Sequence, residues 1–211
     1  RAAFESDKYG RNFLGVPPQG RADYAFLQHI IASLKEDTGR CAILFPHGVL
    51  FRNEENAMRE KLVRSDRVEC VIGLAANLFY NSPMEACIMI CRMTKRPERR
   101  GQVLFINAVK EVERKNAQSY LEDRHIRKIS EAYHQYSDKA GFARVATIQD
   151  IADHNFSLSI PLYVKQETEA AEVDTRSVQE HFDSWVAASE TMKLSYEKLN
   201  TLLGKGAQED E

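Results

Sequence analysis

Four short apolar runs between residues 41 and 108 constrain the fold of this chain more than any other feature. They read CAILF (41–45), VECVIGL (68–74), EACIMICRM (85–93) and QVLFINA (102–108). Continuous apolar runs of this length are typical of strands that are buried in a sheet. We therefore expect these four segments to form one sheet, and we expect CAILF to be buried on both of its faces.

Amphipathic segments alternate with the first of these strands. Apolar residues recur at helical spacing in RADYAFLQHIIASLKEDTGR (21–40) and again in RNEENAMREKLVRSD (52–66), so each segment predicts a helix. After residue 74 two strands follow one another with only a short connection, which is typical of antiparallel neighbours. The pattern predicts an α/β sheet with an antiparallel pair at the edge of an otherwise parallel sheet.

The C-terminal part of the sequence has a helical pattern. HIRKISEAYHQY (125–136) predicts one helix. Apolar residues then follow a 4-3 spacing through the last segment, which predicts a long amphipathic helix with a heptad seam over about residues 176–203. We expect residues 1–108 to form one domain and residues 109–211 to form a mainly helical region.

Charge and cysteine usage exclude several classes of protein. The 29 basic and 31 acidic residues nearly balance, so bulk charge does not predict a polyanion-binding protein. The four cysteines form no CxxC motif, which favours free thiols in a reducing cytoplasm over a metal site. No apolar run approaches the roughly 18 residues of a membrane span, and no signal peptide opens the sequence. We expect a cytoplasmic protein without a membrane or a metal, and we expect the sequence to be a fragment.

Two stretches carry a family resemblance. VPPQGRADYAFLQHIIASLKEDTGRCAILFPHGVLFR (16–52) and VIGLAANLFYNSPMEACIMI (71–90) together resemble the methyltransferase (modification) subunit of type I restriction-modification systems. That family comprises DNA adenine-N6 methyltransferases. The resemblance implies the C-terminal half of a Rossmann-like sheet with an antiparallel last strand, followed by a helical region. It also implies S-adenosylmethionine as cofactor and transfer of its methyl group to an adenine flipped out of the duplex.

Two motifs of the family do not occur in this sequence. One is the glycine-bearing turn that cradles the cofactor, and the other is the Asn-Pro-Pro-aromatic tetrapeptide that holds the target amine. VPPQ (16–19) lacks both the Asn and the aromatic residue. We therefore expect no catalytic residue within this fragment and no activity of the fragment alone. The alternative is a non-catalytic module for assembly and DNA contact that docks on the specificity subunit.

The resemblance implies roles for four residues at the base and the cofactor. Phe79 aligns with the aromatic residue that stacks on the flipped adenine, and Tyr80 would contact it at the rim. The alternative for Phe79 is a hydrophobic plug at the end of the sheet. Phe26 would lie against the cofactor's adenine ring, or else belong to the core. Pro46 ends the CAILF strand at the edge where α/β sheets bind ligands.

Basic and aromatic side chains suggest the macromolecular partners. Arg21 lies in a loop, and RMTKRPERRG (92–101) contributes Arg96, Arg99 and Arg100. These arginines would contact the phosphates of double-stranded DNA, or else lie on solvated loops.

The C-terminal seam and the CAILF strand suggest protein contacts. We expect the seam either to pack within the chain or to dock on the specificity subunit, in a complex that also holds the restriction subunit. The docking residues would be Phe182, Trp185, Met192 and Tyr196. A bare CAILF edge would be covered by N-terminal residues or by a homodimer.

Overall fold

A computed structural model of the chain describes residues 5–80, 82–116, 118–165 and 178–206. The chain divides into two compact units, one up to residue 167 and one from residue 168. The strands, all in the first unit, are β1 (Arg40–Pro46), β2 (Val68–Leu74), β3 (Ala86–Arg92), β4 (Gln102–Ala108), β5 (Glu113–Lys115), β6 (Gln118–Tyr120) and β7 (Ala143–Thr147). The helices of this unit are α1 (Asp23–Ala32), α2 (Asn56–Arg64), α3 (Asp123–Gln135) and α4 (Ile148–Asp153), with 3-10 turns at His47–Leu50, Asn53–Glu55, Pro97–Arg99 and Ile160–Leu162.

Five strands form one sheet in the order β1-β3-β2-β4-β7. Strands β2 and β4 are parallel, and every other neighbouring pair is antiparallel. The α/β class is as predicted, but the expectation of an antiparallel pair at the edge of an otherwise parallel sheet is wrong. Strand β3 folds back from β2 and forms a hydrogen-bonded ladder with β2 along one edge and with β1 along the other. It therefore lies between these two strands.

Strand β1 is an edge strand, which corrects the expectation that CAILF is buried on both faces. Phe45 faces the core, whereas Ala42 and Leu44 point to the other face and Leu44 is 48% exposed. The fully buried strand is β2. Among the described residues β1 pairs only with β3, so no other strand pairs with its outer edge there.

The sheet has an apolar core on each face. On one face the helices α1, α2 and α4 contribute residues such as Leu27, Leu62 and Ile151. On the other face α3 contributes Ala132 and covers the strands β2 and β4. Helix α3 begins with a capping box in which the side chains of Glu122 and His125 reciprocally bind backbone N–H groups, which fixes its start next to the hairpin β5–β6.

The division of the chain lies elsewhere than at residue 108. Strand β7 joins the sheet and α3 packs on it, so residues 109–165 belong with the preceding strands and contain three strands of their own. The second unit is described from α5 (Val178–Gly206), which extends three residues beyond the predicted end at 203. Residues 176 and 177, where that helix was predicted to begin, lie outside the described residues.

Candidate functional site

The turn between β2 and β3 presents the two predicted aromatic residues at the carboxyl end of β2. The backbone N–H of Ser82 donates to the Phe79 carbonyl at 3.1 Å, which closes the turn. Phe79 is 37% exposed and Tyr80 is 87% exposed. The neighbouring Leu78 packs against the core on the α3 face. Leu78 therefore seals the end of the sheet, and the ring of Phe79 remains accessible.

Phe79 and Tyr80 line a cleft of about 540 Å³. Asn77, Ser82 and Pro83 complete the wall that the turn provides, and the hairpin β5–β6 provides the opposite wall. A volume between about 300 and 1,000 Å³ is typical of small-molecule sites. The cleft therefore has room for an extended planar group between the turn and the hairpin.

Phe26 lies on the face of α1 that points away from the core. It is 64% exposed, whereas its neighbours Leu27 and Tyr24 are buried. The alternative of Phe26 as a core residue is therefore wrong. Phe26 lines a cavity of about 410 Å³ together with Ala22, Ala25 and charged or polar side chains of the N-terminal segment.

An ion pair forms the polar side of this cavity. Arg11 contacts the Asp7 carboxylate at 2.5 Å and the His29 ring at 3.3 Å, and all three side chains line the cavity. Hydrogen bonds from Arg11 lower the pKa of Asp7 to about 2. One side of the cavity is therefore apolar, and the other side carries a fixed pair of charges.

Pro46 is the last residue of β1, and His47 follows it. Pro46 does not line the cavity beside Phe26, so the two predicted cofactor residues do not share one cavity. Burial lowers the pKa of the His47 imidazole, although the Glu85 carboxylate lies 3.4 Å from Nδ1. Its Nε2 atom has no hydrogen-bond partner among the described residues.

A charged cluster near α1 was missed by sequence reasoning. Arg52 contacts Asp23 at 2.7 Å and Glu55 at 3.5 Å. Glu55 is fully buried, and within the described part of the chain neither of its oxygens accepts a hydrogen bond. Burial raises the pKa of the Glu55 carboxyl against the opposing charge of Arg52. The run RNEE gives no sign of this, because acidic residues before a helix are usually solvated.

The predicted DNA-binding arginines lie in different environments. Arg21 is exposed and lines a cavity of about 470 Å³ that Pro17 and Pro18 also border. Arg96 and Arg100 are exposed. Arg99 is buried, pairs with the buried Glu69 at 3.3 Å and donates to the His134 carbonyl. The expectation that Arg99 contacts DNA is therefore corrected, because its charge neutralises Glu69 inside the protein.

The buried Glu69 carboxylate organises the amino end of β2. Arg92 and the Tyr133 hydroxyl also donate to it, at 3.2 and 2.7 Å. Burial alone would raise the pKa of Glu69, but these hydrogen bonds and the two arginine charges outweigh it and lower the pKa. The nearby Lys95 is buried as well and contacts Asp66 at 2.6 Å. Much of the basic run 92–100 thus stabilises the fold.

Helix α5 presents the predicted docking residues as exposed side chains. They are Phe182, Trp185, Met192 and Tyr196. The rings of Phe182 and Trp185 lie 6.0 Å apart. Among the described residues no group of His, Cys, Asp and Glu could hold a metal ion. A search of the same residues finds no helix that is long and apolar enough to cross a membrane.

The fold defines the class of protein. The chain superposes with a TM-score of 0.72 and 38% identity on the methyltransferase subunit of a type I restriction-modification system from Streptococcus thermophilus, over 78% of this chain and 35% of that one. It superposes with a TM-score of 0.56 and 17% identity on the type I restriction enzyme EcoKI M protein, over 73% of this chain and 40% of that one, which shows the fold alone. The class is the Rossmann-like methyltransferase fold.

The family follows from the sequence. Residues 2–172 match the model of the N-6 DNA methylase family, and the chain belongs to that family. It is 32% identical to the MjaVIII methylase subunit of Methanocaldococcus jannaschii over 94% of this chain, and 33% identical to the HindI methylase subunit of Haemophilus influenzae over 71%. Both are type I restriction enzyme subunits, so the resemblance described above is confirmed. The chain spans about a third (35%) of the length of each.

Proposed function

We propose that this chain is part of a DNA adenine-N6 methyltransferase subunit of a type I restriction-modification complex. Within that subunit it supplies one wall of the pocket for a flipped adenine and one wall of the cofactor site. The observation that carries this proposal is the exposed ring of Phe79, held at the mouth of a cleft by a turn between two well-packed strands. The methylase relatives support the reaction class.

Phe79 suits the target base because of its exposure and its support. Extruding an adenine from the duplex costs a few kcal/mol in lost pairing and stacking. An aromatic platform returns about 1–3 kcal/mol by stacking. The sheet beneath the turn is buried throughout β2, so the ring is held in place before the base arrives. Tyr80, which is more exposed, would contact the base at the rim.

The cavity beside Phe26 fits the adenosine part of S-adenosylmethionine. An exposed phenyl ring next to Ala22 and Ala25 offers an apolar surface to an adenine face, and the Asp7–Arg11 pair offers polar contacts. S-adenosylmethionine would supply the methyl group as an electrophile. Phe26 would exclude water from one face of the adenine. Pro46 lies outside this cavity, and we do not assign it to the adenosine part of the cofactor.

Three exposed arginines suit the DNA backbone. Arg21, Arg96 and Arg100 are exposed, and no acidic side chain of the described residues forms an ion pair with them. Cations of this kind neutralise phosphates and set the position of a protein on the duplex. We assign them to double-stranded DNA, whereas sequence recognition would belong to the specificity subunit.

The exposed face of α5 supports docking on the specificity subunit of a complex that also includes the restriction subunit. Aromatic side chains such as Trp185 dominate the energy of many interfaces, and truncating one often costs about 2 kcal/mol or more. We expect Trp185→Ala in the full-length protein to weaken association with the specificity subunit roughly 30-fold or more in a pull-down titration. Unchanged association would contradict the assignment of Trp185 to this docking surface. Retained docking without methyl transfer would favour the alternative, a non-catalytic assembly and DNA-contact module.

The proposed activity is tested on the full-length protein with its specificity partner. The complex is incubated with unmethylated genomic DNA and S-adenosylmethionine carrying a labelled methyl group. The proposal predicts label in N6-methyladenine when the DNA is digested to nucleosides. Label in another base, or none with a folded complex that binds DNA, would contradict it.

A further inference from the structure

The hairpin β5–β6 faces the turn that carries Phe79. Its register pairs Glu113 with Tyr120, Arg114 with Ser119 and Lys115 with Gln118. Because side chains alternate along a strand, Lys115, Gln118 and Tyr120 share one face of the hairpin. These three residues line the cleft of about 540 Å³, together with Asn116. Arg114 lies on the opposite face and does not line the cleft.

The hairpin is attached to the turn along the outer edge of β6. Ser119 is buried, and its backbone N–H donates to the Asn77 carbonyl at 3.0 Å. Asn77 has a positive φ of 59°, so the backbone is left-handed at this position of the turn. The two walls of the cleft are therefore linked at the base by a main-chain hydrogen bond, and the mouth stays open.

The side chains on the hairpin wall have the chemistry of a nucleotide site. Tyr120 is 44% exposed, and its hydroxyl donates to Gln118 Oε1 at 2.9 Å. Lys115 is exposed, and no acidic side chain in the described part of the chain forms an ion pair with it. The nearby Glu113 carboxylate is already paired with Arg124 at 2.7 Å. A flat ring, an unpaired cation and an amide side by side match a base and its phosphate.

We propose that Lys115 and Tyr120 form the outer wall of the target-base pocket and bind the extrahelical nucleotide across the cleft from Phe79. Tyr120 contacts the base or sugar with its ring, and Lys115 pairs with the phosphate of that nucleotide. This inference rests on the proposed function, since it concerns the same cleft. It adds a DNA contact from a segment that lies after the four strand-forming apolar runs.

The test uses the full-length protein with its specificity partner and compares four variants. DNA binding is measured at several salt concentrations, and methyl transfer is measured in parallel. Lys115→Gln should lower the slope of log affinity against log salt by about 0.9, the contribution of one phosphate contact. Arg114→Gln removes the same charge one residue away, outside the cleft, and should keep methyl transfer within about twofold of the wild type. Tyr120→Ala should lower kcat/KM for DNA roughly 5- to 100-fold.

Tyr120→Phe separates stacking from folding. It keeps the ring and should retain most of the activity that Tyr120→Ala loses, whereas equal losses in both would overturn the stacking role. If the wild type methylates DNA and Lys115→Gln behaves like Arg114→Gln, the phosphate contact is overturned while the proposed function stands. If the wild type does not methylate DNA but Lys115→Gln alone lowers the salt slope, the proposed function fails and the hairpin contact is supported.

Discussion

The two ends of strand β2 differ in how their polar and aromatic groups are satisfied. At the amino end, Glu69 is buried among Arg92, Arg99 and Tyr133, and each of these donates to it. Beyond the carboxyl end, Phe79 is exposed beside an open cleft. Both ends have residue types that bind DNA in other proteins. At the amino end Arg92 and Arg99 are occupied by Glu69, whereas the carboxyl end leaves its aromatic rings available, and that is the end where open α/β sheets bind ligands.

A single buried carboxylate explains the amino end. A charge inside a protein must be paired, because removing it from water is costly. Arg92 and Arg99 therefore pair with Glu69, and this part of the basic run 92–100 stabilises the fold. At the carboxyl end no comparable demand exists near Phe79, since Leu78 already fills the space at the core. The availability of a side chain thus depends on its buried neighbours.

Removing the Glu69 carboxylate should have the largest effect on stability, because it disrupts the charge network at the amino end of β2. Glu69→Ala leaves Arg92 and Arg99 without their shared anion, and unpairing buried charges costs about 3–5 kcal/mol of unfolding free energy. Chemical denaturation of the variant and of Arg100→Ala, an exposed neighbour, measures this. The control should change by less than about 0.5 kcal/mol. Equal stabilities of the two variants would show that the Glu69 network does not stabilise the fold.

Phe26 should behave in the opposite manner to Glu69, with loss of binding rather than of stability. Phe26→Ala removes an exposed ring, so the unfolding free energy should stay within about 0.5 kcal/mol of the wild type. Binding of S-adenosylmethionine to the full-length protein should weaken roughly tenfold, because the ring loses part of the 1.5–3 kcal/mol of a buried phenyl group. Calorimetric titration measures this, with Phe26→Tyr as the matched control that keeps the ring. Unchanged affinity would exclude Phe26 from the cofactor wall.

The two buried carboxylates should respond to pH with opposite signs. The pKa of Glu69 is lowered in the folded state, so its contribution to stability is present above the usual Glu pKa and is lost as pH falls. The pKa of Glu55 is raised, so stability falls as pH rises above that usual value. Glu55→Gln should therefore gain on the order of 1 kcal/mol at pH 7 and little at pH 4. Denaturation at several pH values checks this, and a gain independent of pH would contradict it.

Local periodicity predicted most of the elements but not their neighbours. The four apolar runs form four strands, and the segments at 21–40 and 52–66 contain α1 and α2. The position of β3 between β1 and β2 depends on pairing across the sheet, which a local pattern does not contain. A local pattern also does not contain the register that places Cys41 opposite Cys91, where the neighbouring thiol lowers the pKa of Cys41 to about 7.

Sequence motifs predicted some residues of the candidate site. The features that depend on tertiary contacts were missed. The turn with Phe79 and the exposed Phe26 were found from ordered sequence motifs. The burial of Arg99 required Glu69 from another strand, and the short hairpin β5–β6 has strands of three residues each, too short for a periodic signal. Sequence reasoning therefore located the aromatic wall of the cleft but not the wall opposite.

The proposed function depends above all on Phe79 as the platform on which the adenine stacks. Methyl transfer by the full-length complex is compared for the wild type, Phe79→Ala and Phe79→Trp, with S-adenosylmethionine affinity measured on the same samples. We predict that Phe79→Ala lowers kcat/KM for DNA roughly 5- to 100-fold with unchanged cofactor affinity, and that Phe79→Trp retains most of the activity. Equal activity of Phe79→Ala and the wild type would contradict the account.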